Sequence, residues 1–267
     1  MQGIDHVVIA VRDLAIASND YARLGFTVTP GGEHTGGVTH NALISFADGS
    51  YFELIAFKEP DRPQNHKWWA TFARGEGTVD FALLSESVDF EGDRLKQAEI
   101  ELDGPHDGGR LRPDGQHIAW RNLGLKSAGV PLPFMIEDVT TRELRVPAGA
   151  ATEHALGVSG VAGLVLLVDD LDRATTPYET LLDTSGESST STIPGARRAR
   201  RFGFGAYWIE LVEPDPTVTD LTKHTKERGA GPYEIVLAGS TRNADPLPLD
   251  RTHGACIRFE DVETLTR

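Results

Sequence analysis

The chain is poor in the residues that several common chemistries require. It has one cysteine, Cys256, so no disulfide can close within it and no cysteine-based zinc site can be built. Cys256 lies in the apolar run GACIRF (254–259), which reads as a strand carrying a buried, inert thiol. Positive charge is scarce as well: 26 Lys and Arg stand against 40 Asp and Glu, for a net charge of −14. A surface of that sign repels phosphate backbones, which argues against a nucleic-acid partner. The arginines that do cluster, in ARRARRF (196–202), suit a strand whose charges are solvated or paired with the protein's own carboxylates. No apolar run approaches the roughly 18 residues of a membrane span. The N-terminus opens directly into a strand with charged residues in it, not into an apolar leader. The expectation is a cytoplasmic protein with no membrane partner. Gly-rich phosphate loops, nucleophile elbows and zinc-protease helix motifs are missing too. GFGAYW (203–208) has no helical pattern after it and reads as a hairpin turn.

What the chain does have is a repeat. GIDHVVIAVRDL (3–14) aligns without a gap on GVAGLVLLVDDL (160–171), an offset of 157 residues. The same offset carries Tyr21 onto Tyr178, Leu24 onto Leu181 and SYFELI (50–55) onto YWIELV (207–212), so that Glu53 falls on Glu210. GTVDFALL (77–84) and GPYEIVLA (231–238) resemble the opening strand again, with Asp80 and Glu234 where the first copy has His6. The chain therefore divides into four related units that start near residues 3, 77, 160 and 231, the fourth of them short.

Each full unit has one layout. A period-2 apolar strand comes first, as in residues 4–11. An amphipathic helix follows, with Leu14, Ala17, Tyr21 and Leu24 near helical spacing, Asp13 as N-cap and Gly25 as its stop. Three strands close the unit, around 26–29, 39–46 and 51–57, with ADGS (47–50) as a turn. The fold class is α+β, built from repeated βαβββ units in two tandem halves. The first half spans 1–146, with units 3–57 and 77–138. The second, degenerate and truncated, spans 158–267, with units 160–214 and 231–260. The Gly/Ala-rich stretch 147–159 is the boundary, and HDGG (106–109) reads as a flexible loop.

Alternation along a strand assigns faces. Val7, Ile9 and Val11 pack under the helix, which leaves His6, Val8 and Ala10 on the opposite face. Glu53 and Ile55 share that face if Phe52 and Leu54 point to the core. If the face curls into a cup, His6 and Glu53 converge within it. A buried carboxylate needs a metal, a cation, a hydrogen-bond partner or a proton.

DHVVIAVRDL, its helix, GGEHTGGVTHNALISF (31–46), YFELIAF, GRLRPDGQHIAWR (109–121) and LPFMIED (132–138) together resemble the vicinal oxygen chelate superfamily, and within it the glyoxalase-like domain proteins. The resemblance implies that two βαβββ units form a cup and that metal ligands come from the first and last strand of each. His6 and Glu53 match the first unit's ligand positions. The second unit offers Asp80 where a histidine is usual, and Glu137 or Met135 from its last strand. The third unit has Gly163 in place of the histidine while keeping Glu210, which would pair with Arg198, Arg200 or another arginine of its unit. The two-histidine, one-carboxylate set of an extradiol dioxygenase lacks its second histidine unless His40, His66 or His117 supplies it.

These assignments imply a metal-dependent lyase, isomerase or epimerase acting on a small carbonyl-containing substrate. A single divalent ion (zinc, manganese, nickel or iron) would be held by His6 and Glu53. Asp80 or Glu137 would complete the site and move the proton. Substrate contacts are expected from Asn41, which parity places in the cup, and from Trp68 and Trp69 as an aromatic lid or a plug between units. Arg112 and Arg121 are expected as anchors for an anionic group, although RPDG (112–115) is also a turn signature. The alternative is a metal-free protein that binds or sequesters a small molecule. The units can pair either within one chain or across a homodimer.

Overall fold

The computed structural model describes residues 2–98, 100–239 and 245–261. The first half runs β1 (Gly3–Val11), α1 (Leu14–Arg23), β2 (Thr29–His34), β3 (Thr39–Ser45), β4 (Tyr51–Phe57), α2 (Trp69–Phe72), β5 (Gly77–Leu84), α3 (Val88–Gln97), β6 (Glu101–Leu111), β7 (His117–Lys126), β8 (Phe134–Asp138) and α4 (Arg142–Arg145). Its eight strands close into a barrel in the order β1-β4-β3-β2-β6-β7-β8-β5. A single 3-10 turn at Gly149–Thr152 leads to the second half: β9 (Val158–Leu167), α5 (Leu171–Leu182), β10 (Glu187–Ser189), β11 (Ala196–Phe204), β12 (Tyr207–Pro214), α6 (Thr219–Arg228), β13 (Gly231–Gly239) and β14 (Cys256–Glu260). These strands form an open sheet, β10-β11-β12-β9-β13-β14. Among the described residues the fourth unit contributes only β13 and β14, so this sheet lacks the strands that close the barrel in the first half.

The pairing registers reproduce the sequence offset. β1 runs parallel to β4 with Val8 opposite Glu53, and β9 runs parallel to β12 with Val165 opposite Glu210; each residue of the second pair lies 157 positions beyond its counterpart. The helix caps obey the same offset. Asp13 accepts hydrogen bonds from the main-chain N–H groups of Ala15 and Ile16, and Asp170 accepts one from Arg173. Each carboxylate satisfies donors that the first helical turn leaves unpaired. Gly25, with φ at +99°, ends α1 in a conformation that a side chain disfavours.

Alternation sorts the side chains into two layers. Val7, Ile9, Val11, Phe52 and Leu54 point outward, into one continuous core shared with α1, α3, α5 and one face of the second sheet. The two halves are thus joined by buried apolar surface, the dominant stabilising term in folding. Val8, Ala10, Ile55, Ala82, Phe134 and Ile136 line the barrel interior.

Two sequence expectations are corrected here. The second strand occupies Thr29–His34, not 26–29, because a register shift between Pro30 and Gly32 lets a Pro-Gly-Gly sequence pair with β3. HDGG is not a loop: residues 106–109 belong to β6 and pair with β7, with His106 opposite Asn122. Glycine and proline lower strand propensity, but two flanking strands supply enough partners to override it.

Candidate active site in the barrel

The barrel encloses a cavity of about 310 Å³ whose lining includes His6, His34, Asn41, Tyr51, Glu53, Trp68, Arg110, Trp120 and Phe134. His6 comes from β1 and Glu53 from β4, and their nearest atoms, Nε2 and Oε2, are 3.6 Å apart. Asn41 on β3 donates from Nδ2 to Glu53 Oε1 at 2.6 Å, and His34 Nε2 lies 3.3 Å from the same oxygen. Burial alone would raise the Glu53 carboxyl pKa. The hydrogen bond and charge of His34, the charge of His6 and the Asn41 hydrogen bond outweigh it and hold the group down at about 2.

Behind His6 lies an ion network that strand alternation would not place there. Asp5 is adjacent to His6 and should face the other way. A register shift against β5 between Ile4 and His6 turns it back. Its fully buried carboxylate accepts the Nδ1 proton of His6 at 2.6 Å. It also takes two hydrogen bonds from Arg145, at 2.8 and 2.9 Å, and one from Arg142 at 2.6 Å. Burial would push the Asp5 pKa up; the charge and hydrogen bonds of Arg145, with those of His6, hold it well below the usual carboxylate range. Arg145 also bonds Asp138 and the Tyr51 hydroxyl, and Tyr51 stacks on the His6 ring at 4.7 Å. The imidazole is thereby fixed in orientation, with Nδ1 engaged by Asp5 and Nε2 turned toward Glu53.

The other expected site residues lie in different surroundings. Asp80 is not part of the cavity lining: it borders a separate cleft with Lys67, Pro131 and Pro232, where Trp68 Nε1 donates to it at 2.7 Å and Lys67 Nζ lies 3.0 Å away. Antiparallel pairing of His6 with Ala82 and of Val8 with Asp80 makes Asp80 the two-fold counterpart of His6. By the same symmetry, the parallel pairing of Ala82 with Phe134 puts Phe134, not Glu137 or Met135, in the place of Glu53. Glu137 points outward and accepts a hydrogen bond from the Val88 N–H at the start of α3. Glu213, at the equivalent position of the third unit, does the same for Leu171 at the start of α5. Both carboxylates anchor helices, which the favourable interaction of acids with helix N-termini explains. Asn41 and Trp68 line the cavity, while Trp69 packs on Phe57 and Phe72. Arg112 bonds the Leu144 carbonyl and Asp114 within its turn. Arg121 bonds Asp89 twice, on the outside of the barrel. The arginines that do line the cavity are Arg110, two residues before the expected Arg112, and Arg145.

These contacts decide whether the implied divalent ion fits. Arg110 donates to Asn41 Oδ1 at 3.2 Å, which orients the amide so that its NH₂ group donates to Glu53 Oε1, with His34 Nε2 3.3 Å from both partners. A hydrogen-bond donor thus occupies the side of Glu53 that His34 would share with a cation. Phe134 stands where a fourth ligand is expected, and Asp80 is engaged by Lys67 and Trp68. Among the described residues no group of three or more His, Cys, Asp or Glu side chains is disposed to hold a metal ion. His6 and Glu53 alone are fewer ligands than the three or more of a typical zinc site, so the donor set does not fit.

The second cup is filled from within. Gly163 takes the place of His6, and a Cβ there would lie 2.2 Å from the Trp208 indole. Glu210 is satisfied by Ser189 and Ser191, with Arg201 Nε at 3.4 Å, while Arg198 instead joins Glu213 and Asp172. Glu234 bonds Arg258 at 2.7 Å.

Sequence reasoning missed Asp5, His34, Arg110 and Phe134. The bulge hides the first, the irregular strand TPGGEH the second, and the uncertain register after the long 127–133 connection the last. Arg110 had a signal: it alternates with the glycine-flanked positions of β6, had that stretch been taken as a strand.

No curated protein matches the sequence. In structure the chain is similar to a hypothetical protein from Staphylococcus aureus, with a TM-score of 0.74 at 12% identity over 97% of this chain and 99% of that one. It is also similar to a mutant of 4-hydroxymandelate synthase from Streptomyces coelicolor, with a TM-score of 0.59 at 15% identity over 93% of this chain and 78% of that one. At these identities the likeness is one of fold. The family model described as "Glyoxalase-like domain" matches residues 4–182. With a match over more than half its length, and with paired βαβββ units that form a barrel, the chain belongs to the glyoxalase-like domain family of the vicinal oxygen chelate superfamily.

Proposed function

We propose that the barrel binds a small carbonyl compound with a planar, apolar body and that His6 moves a proton alpha to the carbonyl. The observation that carries this reading is the Asp5–His6 pair. A buried, ionised carboxylate holds Nδ1–H of an imidazole that lines a cavity of about 310 Å³. A base oriented by an acid behind it is the geometry of general acid–base catalysis. Glu53 supplies a fixed negative charge 3.6 Å from Nε2, which stabilises the imidazolium formed when His6 takes the proton. Tyr51, Trp68, Trp120 and Phe134 offer aromatic walls to the planar body. The reaction class is the lyase or isomerase kind, carried by side chains in place of a metal ion. The same aromatic walls favour a second reading, sequestration of the ligand without turnover.

Phenylpyruvate, which is aromatic and has enolisable protons, is the probe. Chelator-treated protein is expected to accelerate exchange of its benzylic protons in D₂O, followed by NMR. His6→Gln should remove about 10²- to 10⁴-fold of that rate. Binding without exchange would leave only the sequestration reading. Exchange that requires added zinc, manganese, nickel or iron(II) would overturn the metal-free mechanism, and neither binding nor exchange would overturn both readings.

A further inference from the structure

We infer, building on that reading of the pocket, that the ligand carries a carboxylate and that Arg110 selects it. Arg110 is 3% exposed and lines the cavity. Its two terminal nitrogens donate to neutral acceptors, Asn41 Oδ1 at 3.2 Å and the Arg145 carbonyl at 2.6 Å, while its buried Nε has no partner. No carboxylate among the described residues is ion-paired with it. The other buried or half-buried arginines nearby differ in this respect. Arg145 is matched by Asp5 and Asp138, and so is Arg142. Lys67, which lines the cavity along with Arg110 and Arg145, is paired with Asp80.

A guanidinium stays protonated in proteins, and a buried charge without a counterion is costly. In this barrel the missing counterion is the one the ligand would bring. Burial does work against the charge of Arg110, with Tyr51 and Glu53 acting in its favour. The position of the anion follows from Asn41, whose Oδ1 accepts from Arg110 while its Nδ2 donates to Glu53. One carboxamide therefore separates the uncompensated cation from the ionised carboxylate. A ligand carboxylate is drawn to the Arg110 side and repelled from Glu53, which sets the ligand's direction in the pocket and leaves its carbonyl on the His6 side. The chemical class is a 2-oxo acid, or a comparable small acid, with a planar apolar body.

The test compares phenylpyruvate with phenylacetone, which keeps the benzyl ketone and replaces the carboxylate by methyl, in calorimetric titrations of the full chain. Wild-type protein is expected to prefer the acid by about 10- to 100-fold, the scale of one buried charge-assisted contact. Arg110→Gln should bring the two within about threefold by weakening only the acid, and Arg110→Lys, which keeps the charge, should retain part of the preference. Equal affinities in the wild type overturn the inference while leaving the pocket reading intact, as does a preference that survives Arg110→Gln. Failure of both compounds to bind overturns the pocket reading along with it. If Arg110→Gln does not fold, as judged by circular dichroism, the wild-type comparison and Arg110→Lys decide.

Discussion

Replacing Glu53 by glutamine keeps the shape of the side chain and the acceptor for Asn41 but removes the charge. The folded protein holds the Glu53 carboxyl at about 2, against an ordinary value of 4.5. A depressed folded-state pKa stabilises the native state above the unfolded value, and that stability is lost as pH falls through the folded value. At about 1.4 kcal/mol per pH unit between the two values, the contribution above both is about 3 kcal/mol. Urea unfolding of wild type and Glu53→Gln, followed by circular dichroism at steps from about pH 6 to about pH 3, isolates this term, because every other carboxylate titrates in both proteins. The variant is expected to be less stable by about 3 kcal/mol at the upper end, with the gap closing from about 4.5 downward. A variant as stable as wild type at about pH 6, or a gap that stays constant down to about pH 3, would refute the account of Glu53 as a carboxylate held ionised by its donors.

Two further substitutions probe the supporting structure. Asp5→Ala strips Arg145, Arg142 and His6 of a shared buried partner and should cost about 3–5 kcal/mol in chemical denaturation; a loss under about 1 kcal/mol would mean the network is solvated. Gly163→Ala places a Cβ against Trp208, 2.2 Å away, and should destabilise by about 1–3 kcal/mol through overpacking. Trp208→Tyr in the same chain should recover most of that loss, measured as the thermal midpoint; no recovery would place the strain elsewhere.

Local pattern carried much of the architecture. Period-2 alternation told which side of β1 and β4 faces the cup, because neighbouring side chains in a regular strand must point to opposite faces. It also placed Asn41, rather than His40, on the side facing the cup. The gapless offset of 157 residues was visible in sequence because each unit needs the same apolar faces, and the strand registers repeat it. What alternation cannot foresee is an interruption of itself. Asp5 faces the wrong way in a regular strand, and only pairing with β5 creates the bulge that brings it onto His6. The register of β8 depends on where a long connection lets it meet β5, so Phe134 in the place of a ligand was not readable from spacing.

The sequence by itself therefore determined the βαβββ repeat and the shared inward face of His6 and Glu53, which follow from neighbours along the chain, while their meeting needed β1 to pair with β4 and the barrel to close. Tertiary structure alone decided what surrounds that pair. His34 arrives from β2, Arg110 from β6, and Arg145 from the short helix after β8, and their contacts depend on barrel closure between residues far apart in sequence. Closure is also what buries Arg110 without a carboxylate, whereas Arg121 keeps Asp89 on the outer surface and Arg145 keeps Asp5 and Asp138 behind His6.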